Sequence, residues 1–125
     1  MVEKVCLDSN ILIEILNNNQ DIRRKIEESN DEYYITPVSI FEVWYGRKDT
    51  EKITNLLQGI YKLEFDEESA KIAAKILKQL EEKGKALDAR DMFIGAICIK
   101  NKIKLMTLNK KHFERLKEYG LELTE

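Results

Sequence analysis

Short apolar runs suited to strands alternate along this chain with longer stretches of helical periodicity, and only a few polar residues separate one from the next. That alternation leaves little choice of architecture, because strands joined through helices pair in parallel and bury both faces of their sheet. Residues 4–7, 33–35, 61–65 and 104–107 predict strands, and Leu121-Glu122-Leu123 predicts an added edge strand. Between them the apolar spacing predicts a helix beginning at Ile11, capped by Asp8 or Ser9, and a charged helix over 21–29 held to the core by Ile22 and Ile26. Thr36-Pro37 reads as an N-cap with proline at the first helical position, opening a helix over 37–46 with Val38, Phe41 and Tyr45 on one side. Further helices are predicted over 50–57, closed by Gly59, and from Asp66, their cap, to Gly84. A deep helix follows Asp88, and an exposed one runs from Lys110 to Tyr119. The expectation is a three-layer α/β/α sandwich around a mainly parallel sheet of four to five strands, forming one domain over residues 1–125.

Composition narrows the function classes. No stretch reaches the ~20 apolar residues of a membrane helix, and the first apolar run is broken by Asp8, so neither a membrane span nor a leader is expected. Cys6 and Cys98 sit within apolar runs as small core residues of a reducing compartment, which points to the cytoplasm. His112 is the one histidine; it forms no zinc-like spacing, and no nucleophile is placed beside it. The net charge of −2 is uneven, since eight lysines and two arginines between Lys83 and Lys117 face only three acids. That +7 segment offers phosphate contacts, or is simply a solvated basic surface.

Three carboxylates then stand out for lying against apolar sequence: Asp8 after Val5-Cys6-Leu7, Glu42 between Phe41 and Val43, and Asp91 before the run Met92 to Ile99. Burying a carboxylate is costly unless a cation or metal compensates it. In a parallel sheet the ligand crevice lies at the carboxyl ends of the strands, where Asp8 and Asn109 fall, and Glu42 and Asp91 open helices that can face it. A hard divalent ion, Mg²⁺ or Mn²⁺, takes such oxygen ligands and stabilises charge developing on a phosphodiester. Plainer readings exist for each acid: Asp8 as a helix cap, Glu42 paired with Arg47, and Asp91 as a cap or partner of Arg90. Asp88 and Asn109 likewise suit helix caps. Trp44 and Tyr45 suit core or dimer contacts better than base-stacking platforms.

The four segments VCLDSNILI from Val5, SIFEV from Ser39, DMFIGAIC from Asp91 and KLMTLNKKHF from Lys104 together resemble the PIN-domain family, in its order and at its intervals. The resemblance spans essentially the whole chain and implies a metal-dependent endoribonuclease, VapC-like, the toxin of a VapBC-type toxin–antitoxin pair. It implies a PIN-like sandwich, with Asp8, Glu42 and Asp91 as catalytic metal ligands and products bearing 5′-phosphate and 3′-hydroxyl ends. Ser9, Asn10, Ser39 and Thr107 would support them, Asn10 by orienting Asp8. Many members carry a fourth acid where this chain has Asn109, a neutral ligand, and Asp88 is the candidate to compensate. Arg90, Lys110, Lys111 and His112 are candidates for the RNA backbone. A small antitoxin and a homodimer, with Ile11, Ile15 and Trp44 as candidate contacts, are further expectations. The alternative is a non-catalytic PIN-fold module that binds RNA or protein.

Overall fold

The computed structural model describes residues 2–125. Strands β1 (Lys4–Leu7), β2 (Glu32–Ile35), β3 (Tyr61–Lys62) and β4 (Lys104–Met106) form one parallel sheet in the order β3-β2-β1-β4. Seven α-helices connect and cover them: α1 (Ser9–Leu16), α2 (Gln20–Glu28), α3 (Pro37–Gly46), α4 (Thr50–Gln58), α5 (Glu67–Glu82), α6 (Ala89–Asn101) and α7 (Lys110–Phe113).

Alternation along the strands divides the core in two. Val5 and Leu7 of β1, Ile35 of β2 and Met106 of β4 face a cluster completed by α1, α4 and Val43 of α3. Cys6 and Leu105, one residue out of step, face the other cluster with α5, α6, Phe113 and Leu116. The three layers follow from this period of two meeting helices on both faces. The run Met92 to Ile99 lies deep, as expected, with Met92 and Ile94 through Cys98 fully buried. Gly95 leaves room there for Leu116, whose Cδ1 methyl would have to shift to admit a Cβ. Cys6 and Cys98 are both buried and unbridged. The Cys98 thiol and burial push the Cys6 thiol well above its ordinary value, leaving it a neutral core group.

Three expectations change, and a fourth element gains an orientation. The third strand is only two residues long, since after Lys62 the pairing with β2 ends at a bond from Leu63 N to Ile35 O (2.9 Å). The C-terminal segment contributes a single parallel bridge, Leu105 to Leu123, so the sheet has four strands. The segment after Asn109 is not one exposed helix: α7 passes into a 3₁₀ turn over Glu114–Tyr119, and Phe113 and Leu116 are wholly buried. On α3, Ser39 and Val43 face inward while Phe41 and Tyr45 stack on each other outside (5.5 Å between ring centroids) and are 55% and 83% exposed. Ile11 and Ile15 are core residues and Trp44 is partly exposed, so of the three candidate dimer contacts only Trp44 reaches the surface. Among the described residues no helix is long and apolar enough to cross a membrane.

Candidate metal centre

In the order β3-β2-β1-β4 the chain leaves β1 toward β2 and returns on its other side as β4. The crevice where a parallel sheet takes ligands therefore opens at the carboxyl ends of β1 and β4. Asp8 follows β1 and its backbone N–H donates to Met106 O (3.0 Å), which carries the pairing of the two strands one residue further. Its extended backbone makes it the N-cap of α1, and its side chain is 3% exposed. Capping and site position coincide in one residue. Ser9 N donates to Asp8 Oδ1 (2.8 Å) and Thr107 Oγ1 donates to Oδ2 (2.7 Å). Burial raises the Asp8 carboxyl above its usual value, and these bonds hold the rise in check.

Thr107, buried just past β4, is the hub of the β1–β4 junction. While donating to Asp8 it accepts from Asn10 Nδ2 (3.4 Å) and from Asn109 N (3.0 Å). Asn10 Oδ1 accepts from Leu108 N (3.2 Å), so Asn10 acts on Asp8 through Thr107 and not directly. A hydroxyl is suited to this place, since it can donate once and accept twice.

Glu42 projects from the second turn of α3, 21% exposed at the side chain. Ser9 Oγ donates to its Oε1 (3.0 Å), and Arg90 Nη1 lies 3.6 Å from its Oε2. Arg47 is engaged elsewhere, through a bidentate pair with Asp49 and a bond to Asn17, so the surface pairing of Glu42 with Arg47 does not occur. Ser39, expected to support the site, is fully buried in the cap of α3, where Thr36 Oγ1 donates to its Oγ (3.4 Å) and accepts from its N–H (3.1 Å).

Asp91 lies in the first turn of α6, capped by Asp88 through Arg90 N (2.9 Å). Its carboxyl is pushed up to about 6, first by burial and then by the charges of Asp8, Asp88 and Glu42, with His112 opposing. His112 Nδ1 stands 3.8 Å from Asp91 Oδ2, a contact that no residue spacing could anticipate. Arg90 pairs with Glu42 and Asp88. Asn109, Lys110, Lys111 and His112 are exposed, and the Asn109 side chain does not cap α7.

Asp8, Glu42 and Asp91 thus come from three separate elements into one electrostatically coupled crevice. Among the described residues no three acids, histidines or cysteines are yet gathered closely enough to enclose an ion. The donor set nevertheless fits a hard divalent cation: all its donors are oxygens, and their mutual repulsion is what such a cation relieves.

Comparison with known proteins identifies the family and the fold. The PIN domain model matches residues 5–119. Ribonuclease VapC1 of Methanocaldococcus jannaschii is 32% identical over 123 residues, covering 96% of this chain and 86% of that protein. Ribonuclease VapC3 of the same organism is 35% identical over 92 residues, covering 73% of this chain and 94% of that one. A chain in the crystal structure of VapBC2 from Rickettsia felis, bound to a DNA fragment from their promoter, superposes with a TM-score of 0.84 at 22% identity, covering 99% of this chain and 98% of its own, and shares the fold. From its sequence motifs to its sheet order, the chain belongs to the PIN-domain family, among its VapC-like members.

Proposed function

We propose that this protein is an endoribonuclease that hydrolyses RNA phosphodiester bonds with Mg²⁺ or Mn²⁺ held by Asp8, Glu42 and Asp91. The observation that carries the reading is Asp91, a carboxyl raised to about 6 by burial and by the other acids of the crevice. Such frustration is costly to the fold alone and is relieved by a cation. When bound, the ion would supply Lewis-acid stabilisation of the charge developing on the scissile phosphate. The protein's own part is to orient. Thr107 and the Ser9 N–H fix both oxygens of Asp8, and the Ser9 hydroxyl steadies Glu42. Arg90 and His112 stand beside Glu42 and Asp91, and with the exposed Lys110 and Lys111 they would hold the RNA backbone.

The likeness to the VapC ribonucleases supports placing the protein as the toxin of a toxin–antitoxin pair, with a small antitoxin as partner. RNA as substrate and unbridged cysteines support the cytoplasm as its place of action. Phe41, Trp44 and Tyr45 form the exposed aromatic face of α3, on which we place the contact of a homodimer. Light scattering that finds only monomers would remove that contact. A second reading, an RNA- or protein-binding module without cleavage, draws its support from Asn109, exposed and uncharged where many relatives carry an acid.

The deciding experiment is cleavage of structured RNA in Mg²⁺ or Mn²⁺ against EDTA, with wild type, Asp8→Asn and Asp91→Asn. Cleavage confined to wild type with metal is the expected result. Activity in EDTA, or in both variants, would sink the assignment, and inert wild type on every RNA favours the binding module.

A further inference from the structure

Each oxygen of Glu42 has a partner within the chain. Ser9 Oγ donates to Oε1 at 3.0 Å and the Arg90 guanidinium stands 3.6 Å from Oε2. The same guanidinium reaches Asp88, with Nε 3.5 Å from Oδ1, and its side chain is 57% exposed. One positive group therefore spans two of the four acids of the crevice, and the residue after it in the chain is the third acid, Asp91.

We propose that Arg90 is a resident counter-cation of the crevice: it competes with the divalent ion for Glu42, and once displaced it positions an RNA phosphate at the rim. This rests on the metal-centre reading above.

The molecule contains its own standard for what a permanent arginine contact looks like. Arg47 holds Asp49 bidentately at 2.9 and 2.6 Å, with side chains 21% and 28% exposed, and adds a bond to Asn17 at 2.7 Å. Arg90 makes neither close nor bidentate bonds to its acids, and water reaches more than half of it. A long, hydrated ion pair is worth little, so a divalent ion can exchange it at small cost. Its location also limits the geometry. Arg90 is anchored in the first turn of α6, with its backbone N–H bonded to Asp88, so only the side chain can swing while Asp91 stays in place. Arg90 Nη1 stands on the Oε2 side of Glu42, opposite the oxygen that Ser9 holds. Exchange at that one oxygen would free Glu42 for the ion. It would also leave a planar, permanently charged donor fork beside the position of the scissile phosphate.

Competition and handover predict effects of opposite sign from one substitution. Mn²⁺ binding is measured by calorimetry on wild type, Arg90→Gln, Glu42→Gln and the double variant, with Lys111→Gln as a control for loss of a nearby charge. Arg90→Gln is expected to tighten Mn²⁺ binding about 3- to 10-fold, a gain that shrinks in the Glu42→Gln background and is not matched by Lys111→Gln. At saturating Mn²⁺ the same variant is expected to raise KM for RNA severalfold. Unchanged or weaker Mn²⁺ binding by Arg90→Gln overturns the competition, as does an equal gain from Lys111→Gln or an undiminished gain without Glu42. An unchanged KM overturns the handover. Wild type that binds no Mn²⁺ at all overturns the metal reading itself, a result distinct from wild type that binds and an arginine that does not matter.

Discussion

The crevice has two unlike walls. On the β1–β4 side Asp8 is 3% exposed, takes a hydrogen bond on each oxygen, and sits at a strand end shared with its neighbour. On the α6 side Asp91 keeps 22% of its side chain in solvent, has the His112 ring nitrogen at 3.8 Å, and is raised to about 6 by burial and then by the surrounding acids. One wall is built before any ligand arrives; the other is left under electrostatic stress. In the proposed metal centre a rigid wall would set where a cation sits, and a stressed wall would supply the free energy that draws it in.

Asparagine substitutions should break this contrast most clearly. Asp8→Asn and Asp91→Asn are each expected to lower RNA cleavage by more than ~100-fold, the upper end of what losing an outer-shell partner costs. Their stabilities should part company. In EDTA at pH 7.5 Asp91→Asn should be more stable than wild type by about 1–2 kcal/mol, because it removes a charge that is half-buried and repelled by three neighbours, and the solvent reaching it trims the gain. Asp8→Asn should lie closer to wild type, since asparagine caps a helix as well as aspartate does. Thermal melts of the three proteins check the ordering, and destabilisation by Asp91→Asn would contradict it.

Thr107→Val attacks the built wall instead. It keeps the shape and removes a hydroxyl that serves Asp8, Asn10 and Asn109, so a loss of about 10- to 100-fold in cleavage and 1–3 kcal/mol in stability is expected. Denaturant unfolding alongside the cleavage assay separates the two effects.

A pH series sharpens the stressed wall. Asp91 binds its proton more tightly folded than unfolded, so its contribution is fully present below the ordinary carboxyl value of 3.8 and is lost as pH rises through about 6. Stability in EDTA should therefore fall across that window from this group, Asp8 adding in the same direction. Mn²⁺ should flatten or reverse the slope, and Asp91→Asn should reduce it. The smallest effect lies at the other end of α6, where Lys102 holds a left-handed backbone (φ 56°). Lys102→Gly should add up to about 1 kcal/mol and leave cleavage unchanged.

The built wall was largely legible in the sequence, and the stressed wall only in part. The period-two runs and the caps at Asp8, Thr36 and Asp66 placed β1, α3 and α5 correctly, because local geometry and burial agree there. Asp8, Glu42 and Asp91 were legible as acids embedded in apolar sequence. Their partners were not: Ser9 to Glu42, Arg90 to Glu42 and His112 to Asp91 join distant segments across folded helices, and no spacing encodes that. The aromatic stripe of α3 shows the limit of periodicity, which identifies Phe41 and Tyr45 as one face without saying whether that face is inside. Likewise Phe113 and Leu116, set among lysines and glutamates, gave no hint that they close the core against α6.

The sheet order has a consequence in time. Of the four strands, β1 leaves the ribosome first and β4, its partner at the crevice, leaves last. Until Thr107 has emerged, Asp8 lacks the hydroxyl that fixes one of its oxygens, and until α6 has emerged Asp91 is missing altogether. A nascent chain thus carries only a disassembled crevice until β4 and the residues after it have emerged.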